Sequence, residues 1–324
     1  MIKINIRLNS IKVFQVILKY GIYVLFIILC IILAIFSPNF LTMRNIINVL
    51  LQISIIGVIS IGMTYVITAR GIDVSVGAVV AVASASGVGA IKLLGAPWWL
   101  GMLIMIIVGF LFGIINGFSV AYIKMPPFLV TLATMSIARG LTLVLSGGKS
   151  WFDLPVQFAL LGSSTFVSIP VLIIIVILLY VLAHIVLSNT IFGRQTYAVG
   201  GNPDAAKFSG INVKMVIART FIISGTICGL ASILQTARLN SFWASMGVGF
   251  EFSSIAAVVI GGTSLSGGVG NLGGTFVGVL IMGVINNALN LWGVSAHWQN
   301  VARGTIIFLA VMLDALRSKY KSLE

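Results

Sequence analysis

The run WWLGMLIMIIVGFLFGIINGFSVA, residues 98–121, contains no charged side chain. Coiled as an α-helix it is about 36 Å long, enough to cross the roughly 30 Å hydrocarbon core of a bilayer. Comparable apolar runs lie on either side of it, at 20–37, 46–68, 74–92, 128–146, 167–187, 215–236, 251–265, 270–290 and 298–315. Lipid offers backbone amides no partners, so a chain with several such runs must satisfy them within helices. The expected fold is therefore all-α, a polytopic membrane protein of about ten transmembrane helices, with 1–324 forming a single transmembrane domain. The run 251–265 is the shortest. It starts at Glu251 and enters Gly261-Gly262-Thr263-Ser264, which suits a re-entrant or broken span as well as a full one.

Composition agrees. Hydrophobic residues make up 59% of the 324 and charged residues 8%, against about a quarter charged in ordinary globular chains. The net charge of +13 would suit nucleic acid, but the basic residues are scattered between apolar runs instead of forming a patch. Their placement follows the positive-inside rule. With the N-terminus inside and ten spans, the inner segments hold Lys3, Arg7, Lys12, Lys19, Arg70, Lys124, Arg194, Lys207, Lys214, Arg317, Lys319 and Lys321. The outer ones hold Arg44, Lys92, Lys149 and Arg238. Both termini are thus expected in the cytoplasm, with 1–19 as a cytoplasmic leader. The first run is longer than a signal-peptide core and ends in Ser37-Pro38-Asn39 without a small-residue cleavage pattern, so it reads as a retained span.

Catalytic readings find little support. Cys30 and Cys228 lie inside apolar runs, and His184 and His297 are far apart, so neither a disulfide framework nor a metal site is expected. Gly147-Gly148-Lys149-Ser150 would end a phosphate-binding loop only with glycine at 143, where Leu143 stands. Gly268-Val269-Gly270-Asn271-Leu272-Gly273 matches a dinucleotide-binding spacing but lacks the strand and acidic residue that give it meaning. The chain is not expected to hydrolyse ATP.

Polar groups inside spans carry more information, because charge in hydrocarbon costs at least about 2.5–3.5 kcal/mol. Arg139, Glu251 and Arg303 are expected to face the bundle interior as one network. With Gln52, Thr64, Asn116, Thr134 and Asn286 they make a candidate translocation path for a neutral polyol, or an intramembrane polar network that locks helices. Asp73 is expected to cap the third span. No ladder of buried carboxylates is present to couple transport to protons or sodium. Glycines such as Gly109, Gly113, Gly117, Gly225 and Gly229 are expected to let helices pack closely.

The longest inner connection, SNTIFGRQTYAVGGNPDAAKFSGINVK at 188–214, mixes turn formers with a short potential helix, 204–208. A small amphipathic helix on the cytoplasmic face would fit a groove on a partner.

Four stretches carry a family resemblance: Gly62-Met63-Thr64 followed by Gly71-Ile72-Asp73-Val74-Ser75-Val76-Gly77; Asn116-Gly117 with Pro126-Pro127-Phe128 and Thr131-Leu132; Gly200-Gly201-Asn202 with Ser209-Gly210-Ile211; and Ala256-Ala257-Val258-Val259-Ile260-Gly261-Gly262-Thr263-Ser264-Leu265. Through them the chain resembles the permease subunits of bacterial ABC sugar importers of the ribose, galactose and xylose type, and more distantly the branched-chain amino-acid permeases. Val74 stands where leucine is more usual. The resemblance implies a type II ABC importer-like fold, related to the vitamin B12 permeases, in the bacterial inner membrane. It implies a second permease copy (a homodimer) or a related permease, and an external solute-binding protein. Separate ABC ATPase subunits would bind ATP and Mg, so this chain needs no cofactor. It also implies that 188–214 is a coupling loop, with Gly200, Gly201, Asn202, Ala205, Ala206, Ser209 and Gly210 facing the ATPase. A branched-chain amino-acid or nucleoside permease shares that architecture; a self-sufficient channel or secondary transporter would need no ATPase.

Overall fold

A computed structural model describes residues 21–321; the leader 1–19 lies outside them. Thirteen helices are found among the described residues. They are α1 (Gly21–Phe36), α2 (Met43–Thr68), α3 (Val76–Leu94), α4 (Trp98–Ala121), α5 (Pro127–Ser146), α6 (Val156–Ser163), α7 (Val171–Asn189), α8 (Ile191–Gly201), α9 (Pro203–Phe208), α10 (Val213–Leu239), α11 (Phe250–Ile260), α12 (Leu272–Leu291) and α13 (Ala296–Lys321). Eight are long and apolar enough to cross a membrane: α2, α3, α4, α5, α7, α10, α12 and the His297–Leu316 part of α13. The expected runs at 20–37 and 251–265 correspond to the two shorter apolar helices, α1 and α11.

Local chemistry sets the helix ends. Thr42, Asn212 and Asn271 accept hydrogen bonds from the first-turn amides of α2, α10 and α12. Such caps satisfy donors that have no partner inside the helix. Pro127 opens α5, where a missing N–H costs nothing, and Gly147 closes it in the left-handed conformation (φ 60°) that favours glycine. Gly147 and Gly148 therefore act as a helix stop.

At the centre α10 lies against α4 and α2. Gly113 and Gly117 on α4 face Phe221 and Ala218 on α10 so closely that a Cβ on either glycine would fall 2.7 Å from a carbonyl oxygen. Backbones in contact gain dispersion and exclude lipid, as close helix pairs in membranes do. α3 is the most enclosed span and α13 the most exposed.

The segment 251–265 is a short helix followed by a turn. Helix α11 stops at Ile260, and its 11 residues rise only about 16 Å. From β4 (Ser241–Phe242) the chain runs as coil through 243–249, with Gly247 and Gly249 in the left-handed region, into α11. Gly77, at the start of α3, meets Gly247 backbone to backbone, and this closeness leaves no room for side chains. Within this coil Met246 and Gly247 are buried, while Ser245 and Val248 are exposed.

Two ends of the bundle are thus defined. At one, β1 (Trp151–Phe152) pairs with β4, and Asn240 accepts from Leu154 N. The connection 147–166 also contains α6, and β2 (Thr165–Phe166) with β3 (Ile169–Pro170) forms a small hairpin ahead of α7. The opposite end carries α8, α9 and the 261–271 turn. The stretch 188–214, expected as a loop with one short helix, is mostly helical. α7 runs on to Asn189, α8 occupies 191–201, and α9 starts at Pro203, one residue earlier than expected.

Candidate functional site

A buried polar chain joins four elements in the half of the bundle near α8 and α9. Thr134 on α5 donates to Asn116 Oδ1 on α4 at 2.8 Å, and Asn116 Nδ2 donates to Ser75 Oγ at 3.0 Å. Ser75 in turn donates from Oγ (2.5 Å) and backbone N (3.0 Å) to Asp73 Oδ1, while Ser224 on α10 donates to Asp73 Oδ2 at 3.0 Å. All five side chains are buried. Asp73 was expected to cap α3, but Ser75 occupies the capping position and Asp73 lies within the bundle. A carboxylate there needs several donors, since an unsatisfied buried acceptor is costly. Ser75 supplies two of them locally and Ser224 the third from α10.

Arg139, Glu251 and Arg303 converge on the coil before α11. Arg139 Nη1 donates to Met246 O at 2.6 Å, and Gly249 N donates to Glu251 Oε1 at 3.2 Å. A Cβ on Gly249 would lie 3.5 Å from Arg303 Nη1. Glu251 Oε2 and Arg303 Nε are buried without a hydrogen-bond partner. Three charges therefore ring one turn of coil, leaving an acceptor and a donor unused. Carboxylate and guanidinium groups can each bind vicinal hydroxyls.

The other expected residues do not join these groups. Thr64 bonds Thr275 across α2 and α12 at 2.9 Å. Gln52 is exposed and Asn286 half-buried. Its neighbour Asn287, another amide within the same apolar run, exchanges two amide hydrogen bonds with Asn45 (2.9 and 2.8 Å).

At the α8–α9 end the candidate coupling residues divide by exposure. Gly201, Asn202, Ala205, Ser209 and Gly210 are exposed, whereas Gly200 and Ala206 are buried. Ala206 packs with Val199 and Val216, which fixes α9 against α8 and α10. Asn202 caps α9 through Asp204 N and Ala205 N. Phe208, at 90% exposure, projects from the short helix with nothing over it.

Arg70 binds this unit to the bundle. Its Nε donates to Gly200 O (2.6 Å) and Ser266 O (2.9 Å), and its Nη2 donates to Gly201 O (2.7 Å). A guanidinium suits the last carbonyls of α8, where the helix dipole is negative. Gly268 N donates to Thr68 O, Tyr197 OH to Gly270 O, and Asp314 accepts from Leu265 N. The 261–271 turn is thereby tied to α2, α8 and α13. Sequence reasoning missed Arg70, because a lone arginine between spans reads only as a topology marker.

No group of three or more His, Cys, Asp or Glu side chains among the described residues could hold a metal ion.

A family profile described as the permease component of the branched-chain amino acid transport system matches residues 45–311. The ribose import permease of Bacillus subtilis is 44% identical over 93% of this chain and 94% of its own length. The D-allose permease of Escherichia coli is 40% identical over 93% of both, and the L-arabinose permease of that organism 35% over 94% and 92%. No solved structure matches significantly.

Proposed function

Because this chain belongs to the permease family described as the branched-chain amino acid transport system, permease component, we propose that it is the membrane subunit of an ATP-driven importer for a small sugar. The observation that carries this reading is 35–44% identity, over nearly the full length, to permeases for ribose, allose and arabinose. The chain is a transport component, not an enzyme. Its partners are separate ATPase subunits, which hold ATP and Mg, an external binding protein that delivers the sugar, and a second permease copy.

The α8–α9 end faces the cytoplasm in this reading. Arg70, Lys124, Arg194, Lys207 and Lys214 gather there, as the positive-inside rule requires. Exposed α9, with Phe208 and Ala205 on its surface, is the piece the ATPase grips. Closure of the ATPase dimer on ATP would push α9 and α8. The Arg70 clamp would carry that movement to the 261–271 turn and on to α11, whose first turn bears Glu251. Arg139, Glu251 and Arg303 then serve as the sugar-facing polar groups of the path. The relay Asp73–Ser75–Asn116–Thr134 holds the neighbouring helices in register. Transport is vectorial and breaks no bond in the sugar.

The test is reconstitution in liposomes with and without the ATPase and binding protein. Monosaccharide uptake should require both partners and ATP. Uptake by the chain alone would make it a channel or secondary transporter, and uptake of branched-chain amino acids in place of sugars would overturn the cargo. Ala205→Trp should preserve membrane insertion and lose uptake, with ATP hydrolysis by the assembly uncoupled from transport.

A further inference from the structure

We propose that the valley between α4 and α10, in the half of the bundle near α8 and α9, binds one anionic phospholipid with its phosphate on Arg219. The inference rests on membrane embedding and not on the solute transported. Close contact of α4 and α10 through Gly113, Gly117 and Ala218 makes the larger side chains at the margin splay apart. They leave a groove of about 290 Å³, walled by Ile114, Phe118 and Tyr122 on one side and Met215, Arg219 and Ile222 on the other. Phe118 and Tyr122 stack at 5.3 Å, so their wall is flat and apolar.

Arg219 is the one charge in the lining. It lies six residues into α10, about 9 Å along the helix, with its side chain exposed. Its side chain makes no hydrogen bond or ion pair with any described residue. A guanidinium facing hydrocarbon is unfavourable unless it reaches an anion or the interface. At that depth the available anion is a lipid phosphate, which arginine binds through two parallel N–H donors. Lys214 stands at the mouth, its Nζ 5.8 Å from the centre of the Tyr122 ring, and Lys124 is exposed on the adjoining connection. Basic pockets of this kind between membrane helices favour anionic head groups. Acyl chains of any lipid fill the apolar wall equally well, so discrimination rests on head-group charge.

Native mass spectrometry of the purified chain, titrated with phosphatidylglycerol or with phosphatidylcholine of identical chains, tests the site. The wild type should bind phosphatidylglycerol roughly tenfold more tightly. Arg219→Gln should weaken that binding about fivefold or more and leave phosphatidylcholine unchanged, while Arg219→Lys should retain most of the preference. Arg194→Gln, an exposed arginine on α8, is the control and should behave as wild type. Equal affinity for the two lipids, or undiminished phosphatidylglycerol binding by Arg219→Gln, would overturn the proposal. So would competition by inorganic phosphate. Disulfide-linked dimers through Phe118→Cys, in native membranes and in a chain lacking Cys30 and Cys228, would show instead that a second copy fills the groove.

Discussion

Single residues decide how the moving parts are joined. Arg70 makes three hydrogen bonds to carbonyls from two segments, and no smaller or uncharged side chain can span them. Arg70→Ala should leave the ATPase bound but reduce sugar transported per ATP by roughly tenfold, about 1.4 kcal/mol of lost coupling. Measuring both rates in the same liposomes checks this, and an unchanged ratio would remove Arg70 from the transmission route. Asp73 is the acceptor for Ser75 N, Ser75 Oγ and Ser224 Oγ. Asp73→Ala orphans these donors and should lower stability by about 2–4 kcal/mol, while Asp73→Asn, which retains an acceptor oxygen, should cost less. Thermal unfolding in detergent would rank the two. The local pattern Gly71 to Gly77 suggested a cap at Asp73, because capping involves only near neighbours. That Ser224 would also donate to it could not be read locally, since 151 positions separate the pair.

At the level of elements, the α4–α10 pair is where side-chain size matters most. Gly113→Leu should force the two backbones apart and abolish stable protein, measured as monodisperse yield after extraction. Gly140→Ala is the contrasting case. A Cβ there meets nothing within 4 Å, so the change should be neutral or stabilising through helix propensity. Hydropathy identified the elements themselves, because a 20-residue apolar run in a chain this poor in charge has few alternatives to a membrane helix. It could not show where α11 stops. Residues 251–265 are apolar throughout their length apart from Glu251 and the small polar residues. The end at Ile260 depends on Gly261 and Gly274 lying too close for a side chain on either.

For the whole molecule, the two ends should differ in access. Ser209→Cys, just past α9, should react with an impermeant thiol reagent only after the membrane is opened, and Lys149→Cys at the opposite end should react in intact cells. The reverse pattern would place the ATPase contact on the wrong side and end the importer reading. The apolar periods and the scattered cations already specified a many-spanned helical protein, because those properties arise from composition and short-range order. The gathering of Arg139, Glu251 and Arg303 around one coil, the four-element relay ending on Asp73 and the Arg70 clamp emerged only on folding. Each joins residues far apart in the chain, and their closeness depends on how glycine-faced helices settle against one another, which no local pattern encodes.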